Sequence, residues 1–137
     1  MTDYTVLLFL HVSSVILWVG AGTTLGLLWL HPDGGLRDRI PRLGEWLGPR
    51  LFAPAALGAL GFGLGLAFDG HWGFGPLWIK LGLVSFALSF LVNAGVRPRL
   101  TRRFAEEPKR GAVLLSWLAA VELTVLYLTV ADMVLKP

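Results

Sequence analysis

Three ionisable side chains, His11, Lys80 and Glu122, sit inside long apolar runs. Groups of this kind are costly in hydrocarbon and mark candidate functional sites. A neutral imidazole at His11 can ligate haem iron or copper, or relay protons. On a helical wheel His11 shares a face with Tyr4, Ser14, Trp18, Gly22 and Gly26, which predicts that this face packs inward. The competing reading is a core histidine satisfied by a serine or a backbone carbonyl. Glu122 has Ala119, Thr129 and Asp132 toward its own face. It can accept protons, pair with His11 or bind a cation, or it can be a carboxyl hydrogen-bonded to a neighbouring helix. Lys80 lies opposite the polar stripe of its own helix, from where its long stem can snorkel to the headgroups. His71, next to Asp69 outside the apolar runs, is either a second ligand for a metal or haem or a solvated loop histidine. His31 lies at the opposite boundary. Two histidines facing one another on separate helices, the usual bis-histidine cytochrome arrangement, are not found.

These side chains need helices to hold them, and hydropathy supplies four. A bilayer core of about 30 Å calls for roughly 20 apolar helical residues. Segments of about 4–30, 51–68, 76–96 and 112–135 meet that requirement, predicting a single all-α transmembrane domain folded as an up-and-down four-helix bundle over residues 1–137. Pro49 and Pro54 suit the first turn or a mild kink of the second helix. In the first loop, Ile40, Leu43, Trp46 and Leu47 fall at helical spacing and predict a short interfacial helix.

Composition agrees. The 137 residues are 55% hydrophobic and 15% charged, with a mean hydropathy of +0.66, more apolar surface than one small soluble core can hide. The absence of cysteine removes disulfides, iron–sulfur clusters and thiolate zinc sites. The net charge of +3 does not point to nucleic acid, because the basic residues sit between the apolar runs. Arg37, Arg39, Arg42 and Arg50 fall in the first loop, and Arg97, Arg99, Arg102, Arg103, Lys109 and Arg110 in the third. The amino terminus and second loop have no Lys or Arg, and the carboxyl terminus has only Lys136. This asymmetry predicts a bacterial-type inner (plasma) membrane protein with basic loops in the cytoplasm and both termini outside. The basic face then meets anionic lipid headgroups. Met1-Thr2-Asp3 lacks a basic residue and the first apolar run is too long for an h-region, so no cleavable signal peptide is expected. Tyr4, Trp29, Trp72 and Trp78 fall near the expected interfaces, as belt aromatics do.

Small residues predict where helices meet. Gly22-x-x-x-Gly26, the stripe Pro54, Gly58, Gly61, Gly65, and the stripe Gly82, Ser85, Ser89, Asn93 all have the spacing that lets helix backbones approach. Contacts of this kind serve the monomer or a homodimer.

The run Leu8-Phe9-Leu10-His11-Val12 through Trp18-Val19-Gly20 resembles the start of a family of small predicted integral membrane proteins. More distantly it is similar to bacterial four-helix protoporphyrinogen IX oxidase and the membrane domain of copper-resistance protein D. Lys80-Leu81-Gly82-Leu83-Val84 resembles the oxidase third-helix motif, and Arg102-Arg103-Phe104-Ala105-Glu106-Glu107-Pro108 its third-loop motif, departing at Ala105. The resemblance implies His11 as a haem ligand and Lys80 as a second essential group. The resulting expectation is a haem b or related tetrapyrrole site at the outer half of the bundle, with redox chemistry. His11 would be the axial and metal ligand, Trp18 and His71 would be cofactor neighbours, and Lys80 and Glu122 candidate catalytic groups. The alternatives are a transporter or permease for copper or another small solute, with His11, Glu122 and Asp132 along its path, and a non-catalytic membrane subunit.

Overall fold

The computed structural model describes residues 3–30, 39–103 and 106–135. His31, Arg37 and Lys136, and the Phe104-Ala105 part of the third-loop motif, lie outside these residues. Six α-helical segments run in order: α1 (Asp3–Leu30), α2 (Ile40–Leu47), α3 (Ala53–Asp69), α4 (Leu77–Leu91), α5 (Arg97–Arg103) and α6 (Pro108–Leu135). Wider π-helical turns, Gly48–Phe52 and Val92–Val96, join α2 to α3 and α4 to α5. The chain therefore makes four long rods, each long and apolar enough to cross a membrane: Asp3–Leu30, Ile40–Asp69, Leu77–Arg103 and Lys109–Leu135.

The second and third rods run beyond the hydropathy-based boundaries. The short helix foreseen at Ile40–Leu47 exists, but it is continuous with the second span, and the third span carries on past Val96 to Arg103. Both π turns lie beside a proline. Proline has no N–H to donate and its ring crowds the carbonyl four residues earlier. Pro49 lies within the first wide turn, and Ala94, four residues before Pro98, lies within the second. Widening the turn relieves the clash and lets the helix continue.

The far end of α3 closes with Gly70 and then His71, which adopts φ +55°. The His71 N–H donates to the Phe68 carbonyl at 3.2 Å and the Trp72 N–H to the Ala67 carbonyl at 3.2 Å. This pair is a Schellman cap with His71 in the left-handed position that glycine usually fills. Pro76, in extended conformation, then starts α4.

α1 packs most closely against α3, and also against α6; α6 packs on α4, while α4 meets α3 only loosely. Ala55, Ala56 and Ala59 on α3 are small enough to bring α1 near, and they form a core with Trp18, Ala21, Phe52 and Leu126. A second core holds Trp29, Ile40, Leu115 and Ala119. Trp29 is thus buried between helices and is not a belt residue facing lipid. The glycines sort by face. A Cβ on Gly26 would lie 2.9 Å from Leu123, one on Gly58 2.7 Å from the Ser14 hydroxyl, and one on Gly82 2.6 Å from Met133. Gly61, expected on the packing stripe, faces outward with nothing within 4 Å. The outward faces are studded with Phe9, Ile16, Leu91, Trp117 and Leu128, all exposed. Apolar surface of this extent belongs against lipid.

Candidate functional site

His11, on α1, stands over a gap in α3. Gly63 has no side chain there, and a Cβ at that position would lie 2.9 Å from His11 Cε1 and 3.1 Å from Nδ1, so the imidazole lies against the α3 backbone because residue 63 is glycine. One turn away the Ala59 carbonyl receives a hydrogen bond from Nδ1 at 2.8 Å. A carbonyl only accepts, so Nδ1 carries the proton and Nε2 keeps its lone pair. This is the arrangement in which metal-ligating histidines are usually held, one ring nitrogen fixed by a carbonyl and the other available.

His11 lines a cavity of about 440 Å3 along the loose seam between α3 and α4, at the end of the bundle that holds the start of α1 and the end of α6. Its walls are almost wholly apolar: Leu8, Val15, Leu64, Ile79 and Met133, with Trp72 and Trp78 packed edge to face at 5.2 Å. Trp18 and Phe86, themselves edge to face at 5.5 Å, also line the cavity, and the Trp18 indole N–H is buried without a hydrogen-bond partner. His11 and Trp18 are therefore brought to one site. The size falls in the range of about 300–1,000 Å3 typical of small-molecule pockets.

The other candidates lie elsewhere. Lys80 is exposed on the outward face of α4 and does not line the cavity, in keeping with its wheel position. His71 is exposed in the α3 cap, and its neighbour Trp72 reaches the cavity in its stead. Glu122 does not pair with His11. It is nine-tenths buried on α6 and forms an ion pair with Arg97 of α5, through Nη2 to Oε2. Its other oxygen accepts from the Asn93 amide and from the Ser89 hydroxyl, the latter at 3.3 Å. Asn93 also donates to the Ser89 carbonyl at 2.9 Å, and its own carbonyl accepts from Arg97 Nη1 at 2.7 Å. Two carboxylate oxygens thus face three polar side chains from the neighbouring rod, so the carboxylate is satisfied as burial demands, while the Arg97 Nε–H is left buried without an acceptor. One Asp132 carboxylate oxygen, on the same helix as Glu122, is buried without a partner.

Arg97 is the residue that charge counting hid, because it was grouped with the basic third loop. Its signal was present: Ser89, Asn93 and Arg97 repeat every four residues, one face of a helix extended past Val96. Among the described residues no group of three or more His, Asp or Glu converges to hold a metal ion, so a protein-only metal cage is not built here. Among the described residues His11 is the histidine on the lining of this apolar cavity.

Fold and site define a small multi-pass integral membrane protein: a four-helix bundle with an apolar cavity at the histidine and a buried ion pair between α5 and α6. No family model, no curated protein and no solved structure matches this chain. The likeness carried by the helix 1 and helix 3 motifs rests on those residues alone.

Proposed function

We propose that this protein binds haem b or a related tetrapyrrole in the cavity beside His11, in a bacterial-type inner membrane with the basic loops in the cytoplasm. One observation carries the reading. His11 spends its Nδ1 proton on the Ala59 carbonyl, which leaves Nε2 basic, and the residue lines an apolar, aromatic-lined cavity of about 440 Å3. The residues present fit such a group. His11 would ligate the iron, the aromatic side chains of Trp18, Trp72, Trp78 and Phe86 supply apolar contact for a macrocycle, and the unpartnered Trp18 N–H is a donor for a polar edge. The bound group would supply one-electron redox chemistry. The protein would set its axial ligand, exclude water through the apolar lining and fix the imidazole orientation through Ala59. Lys80 and Glu122 lie off this cavity and have no part in the reading.

The test is an absorption spectrum of protein expressed with ample haem supply and purified in mild detergent. A Soret band is expected, lost in His11→Ala and unchanged in Lys80→Ala. Colourless wild-type protein refutes the cofactor. A full band in His11→Ala refutes the ligand assignment alone.

A further inference from the structure

A second cavity, of about 340 Å3, lies in the same seam at the opposite, basic end of the bundle, bordered by both π turns. Its lining is two-faced. Leu25, Trp29, Phe52 and Phe90 supply apolar wall, while Arg97, mostly buried, and the exposed Arg102 and Glu45 supply charge. We propose that this cavity is a specific site for one phospholipid with a zwitterionic aminoethyl phosphate head, its chain entering between the rings and its head held by these three charges.

Charge, donors and depth each support this occupant. Glu122, which is not on the lining, already neutralises Arg97. Arg102 and Glu45 then remain, one of each sign and neither with an ion-pair partner among the described residues. A lining with one free cation and one free anion complements a zwitterion better than an anion. Arg97 uses Nη1 on Asn93 and Nη2 on Glu122, but its Nε–H is buried with no acceptor. A phosphate oxygen satisfies it, with Arg102 as the second donor. An ammonium keeps three N–H donors for Glu45, which a quaternary choline head lacks.

Depth separates a lipid from a soluble phosphate. From Leu77 to Arg97 the rod rises roughly 30 Å, the thickness of the hydrocarbon core, so the Arg97 backbone reaches the edge of that core, next to the headgroup region. Arg102 stands roughly 7 Å further out, among the headgroups. Phe90, seven residues before Arg97 on the same rod, lies roughly 10 Å to the hydrocarbon side of that level, where an acyl chain belongs.

The experiment is native mass spectrometry of the purified full chain after exchange into mixed micelles holding equal phosphatidylethanolamine, phosphatidylcholine and phosphatidylglycerol. One retained phosphatidylethanolamine is expected, in about tenfold excess over either competitor, the ratio one charge-assisted hydrogen bond supplies. Glu45→Gln should erase the preference over phosphatidylglycerol, while Arg102→Gln should lower retention of both. Equal retention of the three lipids overturns the proposal, as does an unchanged preference in Glu45→Gln. Displacement of the lipid by millimolar glycerophosphoethanolamine, which has the head without chains, overturns the lipid as occupant in favour of a soluble phosphodiester. Far-UV circular dichroism of each variant checks that it is folded. Glu45 and Arg102 are exposed and outside the buried network, so both variants should keep the wild-type spectrum.

Discussion

Replacing Glu122 with Gln removes the carboxylate but keeps the shape of the side chain. In the wild type the side chains of Arg97 and Glu122 are 12% and 10% exposed, and each oxygen of Glu122 faces donors: Arg97 on one side, Asn93 and Ser89 on the other. Gln can still accept from Asn93 through its oxygen, but it then turns an NH2 toward the guanidinium, donor against donor. Removing one partner of a buried pair costs about 3–5 kcal/mol, because the other charge stays behind without compensation. Arg97 has a way out, since it sits near the edge of the hydrocarbon core and its stem can swing toward the headgroups. The lower end of that range, about 3 kcal/mol, is therefore expected, and with it a fall in midpoint temperature on the order of 10 °C. The assay is thermal unfolding of purified protein in detergent, followed by circular dichroism. The double variant Arg97→Met, Glu122→Met removes both charges and should return to within about 1 kcal/mol of wild type. A Glu122→Gln midpoint within two or three degrees of wild type, or a double variant no more stable than the single, refutes the reasoning.

Gly26→Val should destabilise by about 1–3 kcal/mol because Leu123 occupies the space a Cβ needs, whereas Gly61→Leu, with nothing nearby, should leave the midpoint unchanged. His71→Gly should raise the midpoint, by about 1 kcal/mol of stability, since glycine adopts the left-handed cap without strain; an unchanged or lower midpoint counts against the cap. Single cysteines can be placed freely in a chain that has none, and a membrane-impermeant thiol reagent added outside should label position 71 and spare position 102; the reverse pattern inverts the topology.

Hydropathy found four helices, since runs of this length have no other use for so much apolar surface. It misplaced two helix ends because a charge ends an apolar run without ending a helix. Arg97 and Arg103 continue the third rod, and Pro49 and Pro98 are absorbed by wide turns. The wheel position of His11 was legible, because a polar residue in line with Trp18, Gly22 and Gly26 leaves one sensible face, and those three are buried or nearly so. Gly61 was not legible from spacing alone. α3 has small residues on several faces, and only the position of α1 decides that Ala55, Ala59 and Gly63 meet it. The partner of Glu122 lies 25 residues away on another rod, beyond any local pattern.

The Arg97–Glu122 pair also bears on how the chain enters the bilayer during synthesis. An ionised residue near the centre of a helix costs about 2.5–3.5 kcal/mol at insertion, and α6 inserted alone would carry that cost at Glu122. The neutralising guanidinium is on the preceding rod, joined to α6 by one short connection, so the two emerge from the ribosome in succession. Together, the rod Leu77–Arg103 and α6 form a helical hairpin whose buried charges cancel within itself. Entry of these two rods into lipid as one unit avoids the cost that α6 would carry alone.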